Sequence, residues 1–169
     1  MSTPHPDLAG RPRPLLVRRD DAEVLGTAPD TITLLADVTD TAGFLSSTRT
    51  SLGRGQDGAT PHYHRASAEM FFVLDGALQV LTGDEVVTAR EGDVLFVPPH
   101  TVHAFGAAPT SAADVLIVFT PGVDRFDYFR LLDRVRRGEA DPRQVVDSQD
   151  RFDNRFVTSP TWSSARRTA

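Results

Sequence analysis

The chain contains no cysteine, no lysine and no apolar run long enough to cross a bilayer, and each absence removes a class of function. Without cysteine there are no disulfides and no thiolate metal sites, so any transition metal must be held by imidazole and carboxylate. All 18 basic residues are arginine, which excludes Schiff-base chemistry and a lysine general base. A membrane-crossing helix needs about 20 consecutive apolar residues, and no such run occurs. A basic surplus is lacking as well: the net charge of −5 and the pI near 5.4 argue against a nucleic-acid partner. The opening MSTPHPDLAGRPRPLL lacks the uninterrupted apolar core of a signal peptide. A cytoplasmic protein with no membrane partner is the expectation.

What is present suits one domain. The 169 residues are 40% hydrophobic and 24% charged, enough to bury a sizeable core. Residues 1–14 hold four prolines and read as an extended arm. Residues 15–121 read as short β-strands with turn signals roughly every ten residues, the pattern of a sandwich or barrel. The pieces are LLVRR, TITLLADV, FLSSTRTSL, MFFVLDG, ALQVLTGD, EVVTAREGD, VLFVPP, VHAFGA and DVLIVFTPG. Asp75-Gly76, Gly83-Asp84 and Glu91-Gly92-Asp93 are read as tight turns between antiparallel neighbours. In residues 122–169 the periodicity becomes helical. Phe126, Phe129, Leu132 and Val135 recur at helix spacing, with Asp124 as the expected cap and Gly138 as the stop. Asp141-Pro142 opens a second short helix through about Phe152. The remainder, RFVTSPTWSSARRTA, reads as irregular, pinned by Phe156 and Trp162 and frayed from Ser163 onward.

Four of the five histidines, His62, His64, His100 and His103, fall within one third of the chain. In a strand, positions i and i+2 share a face, so His62 and His64 point inward together while Tyr63 points outward. A turn or bulge at 65–68 resets the register and places Glu69 on the same face as Phe71 and Val73. A carboxylate on an inward apolar strand is costly unless a cation compensates it. The spacing alone leaves two readings open, hydrogen-bonded core histidines or a metal site. His103 opens a later strand, and an antiparallel neighbour would bring it beside the first pair.

Together these residues resemble the cupin superfamily. His62, His64, Glu69 and Gly76 follow its first motif, preceded by Gly58. Gly92, Pro98 and His103 follow its second, with His100 where a turn glycine is usual and Ala107 where an asparagine is usual. The resemblance implies an all-β jelly-roll barrel with a short C-terminal helical appendage. It also implies one divalent transition metal per chain (Fe, Ni, Co, Mn or Zn) held by His62, His64, Glu69 and His103. His100 would sit in its turn at positive φ, which histidine tolerates better than branched residues do.

The chain is also similar to small bacterial quercetin-dioxygenase-like cupins. That similarity implies a dioxygenase acting on an enolic, flavonol-like aromatic, with dioxygen as co-substrate and Glu69 as both ligand and base. Phe71, Phe105 and His100 would line the substrate pocket, with Phe96 read as plain core. The helix carrying Phe126, Tyr128 and Phe129 would cover the barrel mouth. Two alternatives share the site: a non-redox cyclase, isomerase or decarboxylase acting on a β-dicarbonyl, and a cupin that binds a small molecule without turnover. A homodimer is expected, with PLLVRR as a strand added at a sheet edge.

Overall fold

The structure, a computed structural model, describes residues 13–167. Most of the extended arm expected at 1–14 therefore lies outside the described residues. Four strands open the fold: β1 (Val24–Thr27), β2 (Asp30–Ala36), β3 (Ser46–Leu52) and β4 (Asp57–Tyr63). Then come β5 (Ala68–Thr82), β6 (Glu85–Arg90), β7 (Val94–Val97), β8 (His103–Ala107) and β9 (Ala113–Thr120). The C-terminal part holds helices α1 (Phe126–Arg136) and α2 (Arg143–Asp147), strand β10 (Arg155–Phe156) and helix α3 (Pro160–Arg167). The strands are ordered β1-β2-β3-β9-β5-β8-β4-β10, with β6 and β7 also on β5. Every pairing is antiparallel.

Strand β5 is the spine of this curled sheet. Its first half pairs with β7 and β9, and its second half pairs with β6 and β8. The sequence reading made Asp75-Gly76 a hairpin turn between two strands. Instead the chain bends there and continues as one strand, with the register against β9 shifting between Val73 and Asp75. Gly76 makes the bend possible: it sits at φ +74, and a Cβ there would lie 2.1 Å from the Ala112 carbonyl oxygen. The Glu91-Gly92 turn likewise joins two strands laid end to end along β5 rather than against each other. Gly83-Asp84 does make the expected hairpin between β5 and β6.

Alternation along β5 buries Glu69, Phe71 and Val73 and leaves Met70, Phe72 and Leu74 on the outer face. Phe71, Val73, Leu78, Val80, Val115 and Ile117 fill the space between the two halves of the sheet. Phe96 is not core. Leu95 and Val97 take the inward positions of β7, so Phe96 lies outside opposite Met70 and is 58% exposed. PLLVRR forms no strand; Leu15 and Leu16 are exposed, and the first ladder begins at Val24.

The C-terminal segment packs back onto the barrel. Asp124 does not cap α1: its carboxylate pairs with Arg151 at 3.1 Å, and Arg125 takes the N-cap position. Tyr128, Phe129, Leu132 and Val135 face Val145, Phe152 and Phe156 in a second apolar cluster. The tail is ordered further than its composition suggests, because Ser159 Oγ accepts from Trp162 N–H and Pro160 starts α3. Trp162 packs on Leu81 and Ala104. Arg166 donates to the Gly55 and Ala107 carbonyls at 2.7 and 2.8 Å. No helix among the described residues is long and apolar enough to cross a membrane.

Candidate metal centre

Strand pleating and register assemble the site. His62 is buried on β4, Tyr63 turns away, and His64, just past the strand's end, is buried again. His103 opens β8 and pairs directly with His62, as expected of an adjacent antiparallel strand. Glu69, second in β5, arrives from the other half of the sheet, where it pairs with Val97 and Phe119. The bend at Arg65–Ala66 lets His64 and Glu69 share an interior despite their odd spacing. It is clamped by the Asp153 carboxylate, which accepts from Arg65 N–H at 3.0 Å and Ala66 N–H at 2.8 Å.

One ligand atom from each of His62, His64, Glu69 and His103 lies within 4.8 Å of all the others. Each imidazole turns Nδ1 to a main-chain carbonyl: Thr60 at 2.7 Å, Asp153 at 2.5 Å and Thr101 at 2.9 Å. A carbonyl can only accept, so Nδ1 carries the hydrogen and Nε2 presents a lone pair. Glu69 Oε2 lies 3.1 Å from His64 Nε2 and 2.6 Å from His103 Nε2. Lone pairs and a carboxylate oxygen at that range repel unless a proton or a cation sits between them. The donor set, its oriented tautomers and its buried negative charge thus fit one divalent ion.

The electrostatics agree. Burial, followed by the neighbouring His103 and His64, holds the His62 imidazole well below its ordinary value. His64 is lowered too, chiefly by burial. Both remain neutral, as a ligand must. Burial pushes the Glu69 carboxyl up, but the closeness of His103 and then of His64 outweighs it and leaves the group well below its usual range. Glu69 is an anion at neutral pH.

The cluster opens on a cavity of about 470 Å³. His62, Glu69, Phe105, Ile117 and Phe119 contribute from the barrel, and Tyr128, Phe129 and Leu132 from α1. The helix expected over the mouth is therefore a wall of the cavity, although Phe126 is not among its lining residues. Phe105 lines it as expected. Phe71 does not: it is fully buried beneath, its ring 5.3 Å from that of Phe105 and 6.4 Å from that of His103. His100 does not either. It occupies the expected turn at φ +66, and its N–H donates to the His64 carbonyl at 2.7 Å, but that turn puts the side chain on the outer surface beside Tyr63.

Three contributors escape the sequence reading. Arg125 is 2% exposed, and its Nη2 lies 3.0 Å from Nδ1 and 3.2 Å from Nε2 of His64. Its spacing from Phe129 and Leu132, i+4 and i+7, is the one signal that would have put it on the cavity face. Tyr128 was assigned only to the lid, yet its hydroxyl accepts from Asn154 Nδ2 at 3.0 Å, and burial pushes it up to about 12. Asp153, which orients His64 and clamps the 65–66 bend, carries no signal in its local sequence.

Residues 49–119 match the cupin domain family. A 55-residue stretch is 34% identical to quercetin 2,3-dioxygenase of Bacillus subtilis (strain 168), covering 32% of this chain and 16% of that protein. The match thus spans only a small part of that relative. Among solved structures, Streptomyces PAC13 with uridine superposes with a TM-score of 0.54 at 16% identity, covering 68% of this chain and 88% of that one. KdgF from Halomonas sp. gives 0.52 at 24% identity over 62% and 92% of the two chains. An RmlC-like cupin from Shewanella frigidimarina gives 0.52 at 18% identity over 69% and 96%. At these identities the structures speak for the fold alone. The family match runs from β3 to β9 and contains all four converging side chains, so residues 49–119 carry a cupin domain.

Proposed function

We propose that this protein is a mononuclear metal-dependent enzyme, a dioxygenase that cleaves an enolic, flavonol-like aromatic substrate. The observation that carries the reading is the opening of an oriented three-histidine, one-glutamate cluster onto a cavity with mostly apolar walls. His62, His64, Glu69 and His103 would hold the ion beside the cavity, where a substrate oxygen could reach it. When bound, the ion supplies Lewis acidity at the substrate oxygen and a path for electrons toward dioxygen. As neutral ligands, imidazoles would leave the ion's charge largely uncancelled, which would favour an enolate over the enol. Glu69, lining the cavity, accepts the enolic proton. Its low pKa makes it a weak base while it contacts His103 and His64, so the transfer depends on substrate displacing those contacts. Phe105 and Phe119 line the cavity where the aromatic body would lie, and α1, as a wall of that cavity, would shield the enolate from water. Dioxygen is the oxidant, and both its atoms end in the cleaved product.

The test is oxygen uptake with a flavonol by protein reconstituted separately with iron, nickel, cobalt, manganese and zinc. Consumption with at least one redox-capable ion is expected, and no consumption with any of them defeats the reading. A second reading, a non-redox cyclisation, isomerisation or decarboxylation of the same kind of enolate, is favoured by buried Arg125 beside His64. A fixed cation there stabilises an enolate without oxygen. Turnover under strict anaerobiosis would select it.

A further inference from the structure

Among the described residues Arg125 is a cation with no ion-pair partner. Its side chain is among the largest fully buried ones in the protein, and Nε has no hydrogen-bond partner. Among the described residues no carboxylate lies within ion-pair distance of it, and no oxygen accepts from its guanidinium. Among the described residues its guanidinium's polar contacts are the ring nitrogens of His64, and neither is a free acceptor: Nδ1 is spent on the Asp153 carbonyl, and Nε2 faces Glu69. The Phe119 ring, 4.1 Å from Cζ, and the Tyr128 ring at 5.5 Å give it aromatic faces, which attract a cation but offer no lone pair. The main chain is anchored at this spot: the Arg125 backbone N–H donates to Asp37 Oδ1 at 3.1 Å.

A buried cation left this way is costly unless an anion completes it. Glu69 is the carboxylate that interacts most with its charge, yet its oxygen is turned to His64 and His103, and a bound divalent ion would claim that oxygen as a ligand. The loaded site then carries surplus positive charge, because Glu69 cancels one charge of the ion while Arg125 adds another. Both Arg125 and Tyr128 line the cavity. The Tyr128 hydroxyl already accepts from Asn154, so its own hydrogen is available to donate.

We infer that Arg125, seconded by the Tyr128 hydroxyl, binds an anionic oxygen group of the ligand, so the cavity takes amphipathic organic anions and discriminates against neutral isosteres. This rests on the cavity being the substrate site, as proposed above, but it requires no particular reaction. The acid group lies against the guanidinium, which offers a planar fork suited to a carboxylate, and the apolar body runs along Phe129 and Leu132.

The test uses 2-naphthoate and its neutral counterpart 2-naphthamide as probes, with dissociation constants measured by titration calorimetry on the zinc-loaded protein. The wild type is expected to bind the acid at least tenfold more tightly than the amide. Arg125→Gln should bring the two within about twofold, Arg125→Lys should retain part of the preference, and Tyr128→Phe should reduce it less. Equal affinities in the wild type overturn the inference without any mutant. A preference that survives intact in a folded, zinc-binding Arg125→Gln overturns it as well, since the ion would then be holding the acid. If zinc does not load, the metal reading fails, and the same acid-to-amide ratio on the metal-free chain still decides for or against Arg125. If the preference holds while no flavonol is oxidised, the dioxygenase reading fails and the inference stands.

Discussion

His62 and His103 face each other across β4 and β8 as registered partners, with ring centroids 4.3 Å apart and both Nδ1 atoms tied to main-chain carbonyls two residues upstream. Each ring is thus set by a carbonyl of its own segment, so removing one leaves the other in place. His103→Ala is expected to lower zinc affinity more than about 100-fold, the upper end of what lost supporting partners cost. Glu69→Gln removes the site's only ligand charge and should do the same while leaving the barrel folded. Competition against a chromogenic chelator, with circular dichroism as the folding control, measures both. Full zinc stoichiometry in either variant at micromolar metal would contradict the assigned ligand set.

Asp153 is predicted to act on the metal without touching it. Its carbonyl fixes the His64 tautomer, and its carboxylate holds the bend that lets His64 and Glu69 share an interior. Asp153→Ala deletes the clamp and puts alanine at φ +48, a conformation it adopts less readily than aspartate. The expected loss is about 1–2 kcal/mol of stability and roughly 10-fold or more in zinc affinity. Asp153→Asn, which tolerates that backbone conformation and keeps one acceptor, should recover part of both. Identical affinity in all three proteins would remove Asp153 from the site.

The convergence of the cluster was legible because it depends on local rules, His62 and His64 obeying strand alternation and Glu69 rejoining them through a short bend, while its reading as a metal site came from the cupin resemblance. The place of His103 needed one further step, a neighbouring antiparallel strand. Arg125 and Asp153 were not legible, because they reach the site only when the segment after β9 folds back over the barrel, and no local pattern encodes that docking. Asp75-Gly76 misled for a related reason. The same dipeptide serves a hairpin or a bend, and the choice is made by β9 and the Ala112 carbonyl, far along the chain. Phe96 was misplaced because residue type suggested core where the phase of alternation says surface.

Gly76→Ala tests the bend in β5. The new methyl would meet the Ala112 carbonyl at 2.1 Å from a backbone at φ +74, so strain and collision act together. A loss of at least about 2 kcal/mol is expected, which for a chain of this size is a fall in Tm of about 4–8 °C. Gly83→Ala makes a useful contrast, since a methyl there meets nothing within 4 Å and only the positive φ opposes it. Thermal unfolding should rank Gly76→Ala as the more damaging. The reverse order would mean β5 does not bend as described.

Acid should destabilise the metal-free protein in two stages. In the unfolded chain His62 titrates near 6.5, whereas in the fold burial and then His103 and His64 hold it well below that value. Between those two values the unfolded chain binds more protons, so the stability is complete above about 6.5 and falls with decreasing pH. The slope approaches about 1.4 kcal/mol per pH unit for each such imidazole, and His64 adds in the same direction. Glu69 acts lower. Its carboxyl, depressed below 4.5, contributes stability that is present above 4.5 and disappears as pH falls through its folded value. Tm followed by circular dichroism should therefore decline from pH 7 to pH 5 and decline again below 4.5. His62→Gln should flatten the first stage and leave the second. A Tm that holds steady from pH 7 to pH 5 would mean that the imidazoles are not buried neutral in the metal-free fold.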